Sequence, residues 1–194
     1  MQDNKLDSAH LTNISFKATH DGKLSLPLHR DLIETIKRIY TPFEFQCSQP
    51  QAELHNAEYG GYRFSLNESN IRFRVAKITP TKVGQFVTIW ERNETGTIQP
   101  YDASEAIDFY VICARKDDHW GQFVFPSSVL CKHDILSNQG VGGKRAIRIY
   151  PPWDIPTSRQ ALNTQKWQLP YFLDIPLHTP INEDHVRNLY ALLR

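Results

Sequence analysis

Apolar and polar positions alternate in two ways along this chain, and the change of period marks out the elements. Leu28, Leu32, Ile36 and Ile39 recur at helical spacing after Pro27. Asp31 and Glu34 lie in the first turns, Lys37 and Arg38 in the last, and Pro42 follows Tyr40. That order of charges suits the helix dipole, and proline ends the run, so an amphipathic helix over an apolar surface is predicted from about residue 27 to 40. The period then drops to two. Tyr62, Phe64 and Leu66 alternate with Arg63, Ser65 and Asn67; after a polar turn, Ile71, Phe73 and Val75 alternate with Arg72 and Arg74. Two such runs about a short turn read as a hairpin.

Further strands are predicted over Gln85–Arg92, 107–114, 121–125 and 146–150, the first closed by Asn93-Glu94-Thr95-Gly96 and the last by Pro151-Pro152. A short helix is expected from Ser127, as N-cap, to about Leu136, a second from Thr157 or Ser158 to about Gln168, and a last from about Asn182 to Leu193. Gly140–Gly143 reads as a flexible loop, and Tyr171–Ile175 as a short apolar run. The sum is an α/β (α+β) fold: a mixed, mostly antiparallel central sheet flanked by helices. Residues 1–26 show weak periodicity and are expected to form an arm. Residues 27–194 are expected to form one globular domain.

Length and composition support this. The chain has 194 residues, 40% hydrophobic and 22% charged, which suits one folded domain and excludes a disordered tail or a collagen-like rod. No run approaches the roughly 20 apolar residues that span a bilayer, so no membrane partner is expected. The polar, acidic start lacks the apolar stretch of a secretory signal, and three separated cysteines, Cys47, Cys113 and Cys131, suggest reduced thiols. A cytoplasmic location is the expectation.

Net charge is only +1, but it is unevenly spread. Residues 71–92 carry Arg72, Arg74, Lys77, Lys82 and Arg92 against Glu91 alone; residues 138–169 carry Lys144, Arg145, Arg148, Arg159 and Lys166 against Asp154 alone. Two such blocks, separated by an acidic one at 93–118, fit either a surface polarised for a polyanion or ordinary solvated strands and loops.

Motif chemistry narrows the options. Gly140-Val141-Gly142-Gly143-Lys144-Arg145 is not a P-loop, because Asn138 stands at the first glycine position and Arg145 replaces the hydroxyl that holds magnesium. It leaves a basic loop for phosphates or a simple turn. Cys131 and His133 are too few for zinc, and no Gly-x-Ser-x-Gly elbow is present. The stretch from Lys77 to Trp90 is richer: Thr79-Pro80-Thr81-Lys82 is a rigid turn with two hydroxyls and a cation, followed by Gln85, Thr88 and Trp90. Hydroxyls, amides and lysines on rigid backbone suit phosphate contact, and an exposed aromatic can stack on a base. A snorkelling Lys77 and a core Trp90 are the plainer alternative.

The segments NAEYGGYRFSL (56–66), IRFRVAKITPTKVGQFVTIWER (71–92), DFYVICAR (108–115), FVFPSSVL (123–130), GKRAIRIYPPWD (143–154) and TQKWQL (164–169) closely resemble the MepB-like family, in the family's order. That family is named for a protein encoded beside a multidrug efflux pump, so the resemblance also implies a small-molecule-binding accessory protein as one option. The element order and the TPTKxGQFVTxW stretch are similar to the PD-(D/E)xK restriction-endonuclease-like fold, whose two acids hold magnesium and whose lysine assists water. Here Val75-Ala76-Lys77 has valine where the acid belongs, and Glu58 and Asp108 are the only stand-ins.

The expectation is therefore a non-catalytic binder of DNA or RNA on a degenerate nuclease-like scaffold, with no cofactor. Its contacts would be Arg72, Arg74, Lys77, Thr79, Thr81, Lys82, Gln85, Trp90, Lys144, Arg145 and Arg148. The rival is a magnesium-dependent nuclease acting through Glu58, Lys77 and Asp108.

Overall fold

The computed structural model describes residues 28–190, so the expected arm at 1–26 lies outside the described residues. Helix α1 (Arg30–Thr35) begins at His29, whose Nδ1 accepts a hydrogen bond from the Asp31 amide at 3.1 Å, and continues through a π turn over Ile36–Tyr40. It buries Leu32, Thr35, Ile39 and Tyr40, as the helical spacing requires.

The chain then builds β1 (Gln51–Ala52), β2 (Tyr62–Leu66), β3 (Ser69–Val75), β4 (Lys77–Thr79), β5 (Lys82–Thr88), β6 (Trp90–Arg92) and β7 (Ile98–Pro100). After these come β8 (Phe109–Lys116), β9 (His119–Pro126), α2 (Ser127–Lys132), β10 (Ser137–Asn138), β11 (Val141–Gly142) and β12 (Ala146–Ile149). Helix α3 (Arg159–Gln168), β13 (Phe172–Asp174) and α4 (Glu183–Tyr190) complete it. The central sheet has the order β1-β2-β3-β8-β9-β13, antiparallel except for the β3–β8 pair. The predicted hairpin is present, with Tyr62 opposite Phe73 and Leu66 opposite Ser69, and Asn67 supplies the turn's left-handed residue at φ 52°. A smaller antiparallel sheet, β12-β5-β4, lies apart from it.

Two cores share the central sheet. One gathers Leu32, Tyr40, Phe64, Ile71, Phe73, Val111, Leu173, Val186 and Tyr190, so α1 and α4 cover that face. The other joins Tyr110, Ile112, Ala114, Phe123 and Phe125 of the central sheet to Val87, Ile147 and Ile149 of the small sheet. With both faces covered, six consecutive residues of β8, Phe109–Ala114, are buried. The class is mixed α+β with a mostly antiparallel central sheet.

Three predicted elements differ. The run Gln85–Arg92 is two strands in two sheets: it breaks at Ile89, whose amide donates to the Arg145 carbonyl at 2.9 Å, and β6 then pairs with β7. Helix α2 stops at Lys132, and Ser127 is its first residue, with its hydroxyl donating to the Ile107 carbonyl instead of capping. Gly140–Gly143 belongs to a hairpin: Gln139 and Gly140, at φ 52° and 75°, form the turn between β10 and β11. Asp102 ties it down, accepting from the Gly140 amide at 2.9 Å and the Ser137 hydroxyl at 2.7 Å.

Candidate functional site

Arg72 and Arg74 are interior residues, 2% and 1% exposed. In the alternation of β3 they point away from Ile71 and Phe73, but that face also lies under other structure. The Glu53 carboxylate pairs with both: Arg72 Nε donates to Oε1 at 2.9 Å, and an Arg74 amine donates to Oε2. Arg72 also donates to Glu105 Oε2 at 3.0 Å, and its guanidinium lies 3.5 Å over the Tyr101 ring. Burial alone would raise the Glu53 pKa, but the charges of Arg74 and Arg72 and their hydrogen bonds outweigh it and hold the carboxyl below its ordinary value. These two arginines have carboxylates as partners and do not present their charge to a phosphate, which corrects the sequence reading. Their cations are consumed in holding Glu53, Glu105 and Tyr101 against the sheet.

The residues of the nuclease reading are not brought together. Lys77 Nζ lies 3.4 Å from Glu58 Oε2 and 4.5 Å over the half-buried Tyr59 ring, with Lys77 and Glu58 both exposed. Asp108 instead accepts from the Asn70 amide at 2.8 Å, at the start of β3, whereas Lys77 follows its end. At about 3.3 Å per residue, the strand holds them roughly 20 Å apart. Among the described residues no three His, Cys, Asp or Glu side chains converge as metal ligands. Trp90 is half-buried against His55 and Arg92, with its carbonyl accepting from Asn56 Nδ2 at 3.1 Å. Gln85 is buried and donates to the Arg115 carbonyl at 3.2 Å. Arg145 is exposed.

What the fold does assemble is a groove of about 710 Å³ between β12 and α3. Lys82, Lys144 and Arg148 line it, and no acidic side chain does. Arg148 is held in place by donating to the Gly84 carbonyl at 2.9 Å and to the Thr79 hydroxyl at 2.8 Å, which gives Thr79 the role of orienting a cation. Lys82 opens β5 and Lys144 precedes β12; because those strands pair antiparallel, with Ala146 opposite Thr88 and Ile149 opposite Gln85, the two lysines stand towards opposite ends of the groove, and Arg148 lies at the Lys82 end. Opposite stands the first turn of α3, capped by the Ser158 hydroxyl, which accepts from the Ala161 amide at 3.2 Å. A helix N-terminus favours anions.

Two features of this groove have no signature in the sequence. His133 stacks on Trp167 with ring centroids 4.0 Å apart, and both line the groove. Partial burial, then the charges of Lys132 and Lys144, lower the His133 pKa, so its imidazole is neutral at pH 7. Gln168, fully buried, closes part of the open edge of β12, accepting from the Tyr150 amide at 2.9 Å and donating to the Arg148 carbonyl at 3.0 Å. A side-chain amide thereby replaces a missing strand neighbour. Only its length and its place at the end of α3 allow this, and neither shows in a hydropathy pattern. Thr81 lies beside a second pocket on the other side of Lys82. No helix among the described residues is long and apolar enough to cross a membrane.

Comparison with known proteins bears on the whole of this region. A search of curated proteins returned no match. A solved structure described as the crystal structure of MepB is 34% identical, with a TM-score of 0.66, and the match covers 75% of this chain and 97% of that one. The MepB-like family model matches residues 53–174, which include β2 to β13, Glu53 and the groove. The chain belongs to the MepB-like family.

Proposed function

We propose that this protein binds nucleic acid through the groove between β12 and α3, gripping phosphates without a catalytic step. The observation that carries the reading is that Lys82, Arg148 and Lys144 are spaced along one groove that no acidic side chain lines. Phosphate contacts position a strand and carry no sequence information, so this grip accepts any sequence. Arg145, exposed beside Lys144, adds charge at the rim. Arg72 and Arg74 contribute nothing to the grip, and Gln85, Trp90 and Lys77 lie outside it.

The test is fluorescence anisotropy with labelled single-stranded DNA, duplex DNA and RNA across a range of salt, each sample then run on a gel with magnesium. Three neutralised phosphates give a log–log salt slope of about −2 on a single strand and about −3 on a duplex. Lys82→Ala and Lys144→Ala should each flatten it by about one unit. Absence of binding at low salt, or slopes unchanged in both variants, would overturn the proposal. Degraded ligand would overturn its non-catalytic part.

A further inference from the structure

The groove between β12 and α3 holds an aromatic pair as well as its cations. His133 and Trp167 both line it, with ring planes only 12° apart, and both are half-buried, so part of their ring surface is open to solvent. They come from different elements: His133 follows the last residue of α2, and Trp167 lies in the last turn of α3. The indole is anchored on Phe125, fully buried, at 5.5 Å between centroids. Among the described residues the imidazole makes no hydrogen bond or ion pair, and Trp167 is the one ring stacked on it. The Lys144 amide donates to the Ile135 carbonyl at 2.9 Å, two residues beyond His133, which places the pair at the Lys144 end of the groove.

A grip on phosphates alone needs cations and hydrogen-bond donors and has no use for flat aromatic surface. Nucleic acid offers a complementary flat surface only through its bases, and every base has one, so stacking on a histidine or tryptophan is tolerant of sequence. In a duplex those faces are covered by neighbouring pairs, and a base reaches an aromatic side chain only by leaving the stack, at a cost in free energy. In a single strand they are open. The groove's size agrees: about 710 Å³ lies within the range of sites that enclose one small ligand, roughly 300–1,000 Å³.

We infer that the groove selects single-stranded nucleic acid over duplex, with one base laid on the His133–Trp167 pair while Lys144 and Arg148 hold phosphates of the same strand. This rests on the nucleic-acid reading above and names the form of nucleic acid that fits it. The spacing suits a short stretch of strand. Lys144 and Arg148 are four residues apart, so their backbones stand up to about 13 Å apart at some 3.3 Å per residue. Stacked nucleotides rise about 3.4 Å each, so that distance covers roughly four of them, and fewer when the strand is extended.

The test is anisotropy with three labelled ligands of equal length: a thymidine strand, an abasic strand with the same phosphates and no bases, and a duplex. It is run near neutral pH, where the His133 imidazole carries no charge. The thymidine strand should bind about tenfold more tightly than the abasic one, which is within the worth of one stacked base. It should also outcompete the duplex at physiological salt. His133→Ala should remove most of the advantage over the abasic strand. His133→Phe, which keeps a ring and loses the nitrogens, should retain it, and this separates stacking from hydrogen bonding or charge. Equal binding of thymidine and abasic strands, both salt-dependent, would overturn the stacking and leave the phosphate grip standing. A thymidine advantage that survives His133→Ala would overturn its assignment to this pair. Binding of the thymidine strand alone, without salt dependence and lost in His133→Ala, would overturn the grip and support the stack. Absence of binding by all three would overturn both.

Discussion

Removing the charge of Glu53 should destabilise the protein more than any other single carboxylate change among the described residues. Glu53→Gln keeps the side chain's shape but leaves Arg74, 1% exposed, with no carboxylate, and Arg72, 2% exposed, with only Glu105. Breaking a buried ion pair on one side costs about 3–5 kcal/mol, because the remaining charge stays desolvated. Arg72 retains Glu105 and the Tyr101 ring, so the lower end, about 3 kcal/mol, is expected here. That is a large share of a total stability of roughly 5–15 kcal/mol. For a chain of this size it lowers Tm by about 6–12 °C, at some 2–4 °C per kcal/mol.

The assay is urea unfolding followed by tryptophan fluorescence, with Tm from circular dichroism. Glu105→Gln is the internal control: it leaves Glu53 in place, so about 1 kcal/mol is expected. The sign of the pH dependence follows from the lowered Glu53 pKa. With the folded pKa below the unfolded value of about 4.3, the stabilisation is fully present above that pH and is lost as pH falls through the folded pKa. Wild type should therefore lose stability on acidification below about pH 4.3, and Glu53→Gln should lose less over the same window. A Glu53→Gln protein within about 0.5 kcal/mol of wild type, inside the range of ordinary surface changes, would refute the claim that these guanidinia depend on Glu53.

Gln168→Ala should cost about 2–3 kcal/mol by chemical unfolding, since it removes two buried hydrogen bonds and leaves the edge of β12 open. A cost below about 0.5 kcal/mol would show that water serves the edge equally well. Gly121→Ala should prevent stable folding, read as loss of near-ultraviolet circular dichroism, because the added Cβ would lie 2.2 Å from the Phe172 ring and 2.6 Å from the Leu173 carbonyl oxygen. Native-like spectra would contradict it. A phosphate in the groove adds negative charge beside His133 and raises its lowered pKa, so binding takes up a proton and tightens as pH falls from about 7 towards 5. His133→Ala should flatten that dependence in an anisotropy titration; an equally steep profile in the variant would remove His133 from the site.

The helix at α1, the β2–β3 hairpin, the paired strands β8 and β9 and the helix α3 were all legible in the chain, because each is specified by a local period or a local turn. Ile71 and Phe73 are buried at the spacing that predicted them, and Ser158 caps α3 near the predicted start. The basic block at 138–169 was equally visible, and Lys144 and Arg148 do line the groove. The other block divided. Lys82 reached the groove, whereas Arg72 and Arg74 are sealed inside.

Alternation along a strand says which side chains share a face, but not whether that face meets water. Arg72 and Arg74 lie opposite Ile71 and Phe73 just as a solvated pair would, and the difference is made by partners distant in sequence: Glu53, Tyr101 and Glu105. Charge in sequence is a count, whereas charge at a site depends on which carboxylates the fold brings within reach. For the same reason Glu58 and Asp108 could be named as paired acids although β3 holds them at opposite ends. Local structure was thus written in the chain, from periodicity and turn chemistry acting over a few residues. The groove and the covered arginines were decided by the antiparallel pairing of β5 with β12 and by the second layer closing over the central sheet, because burial and electrostatic pairing act through space.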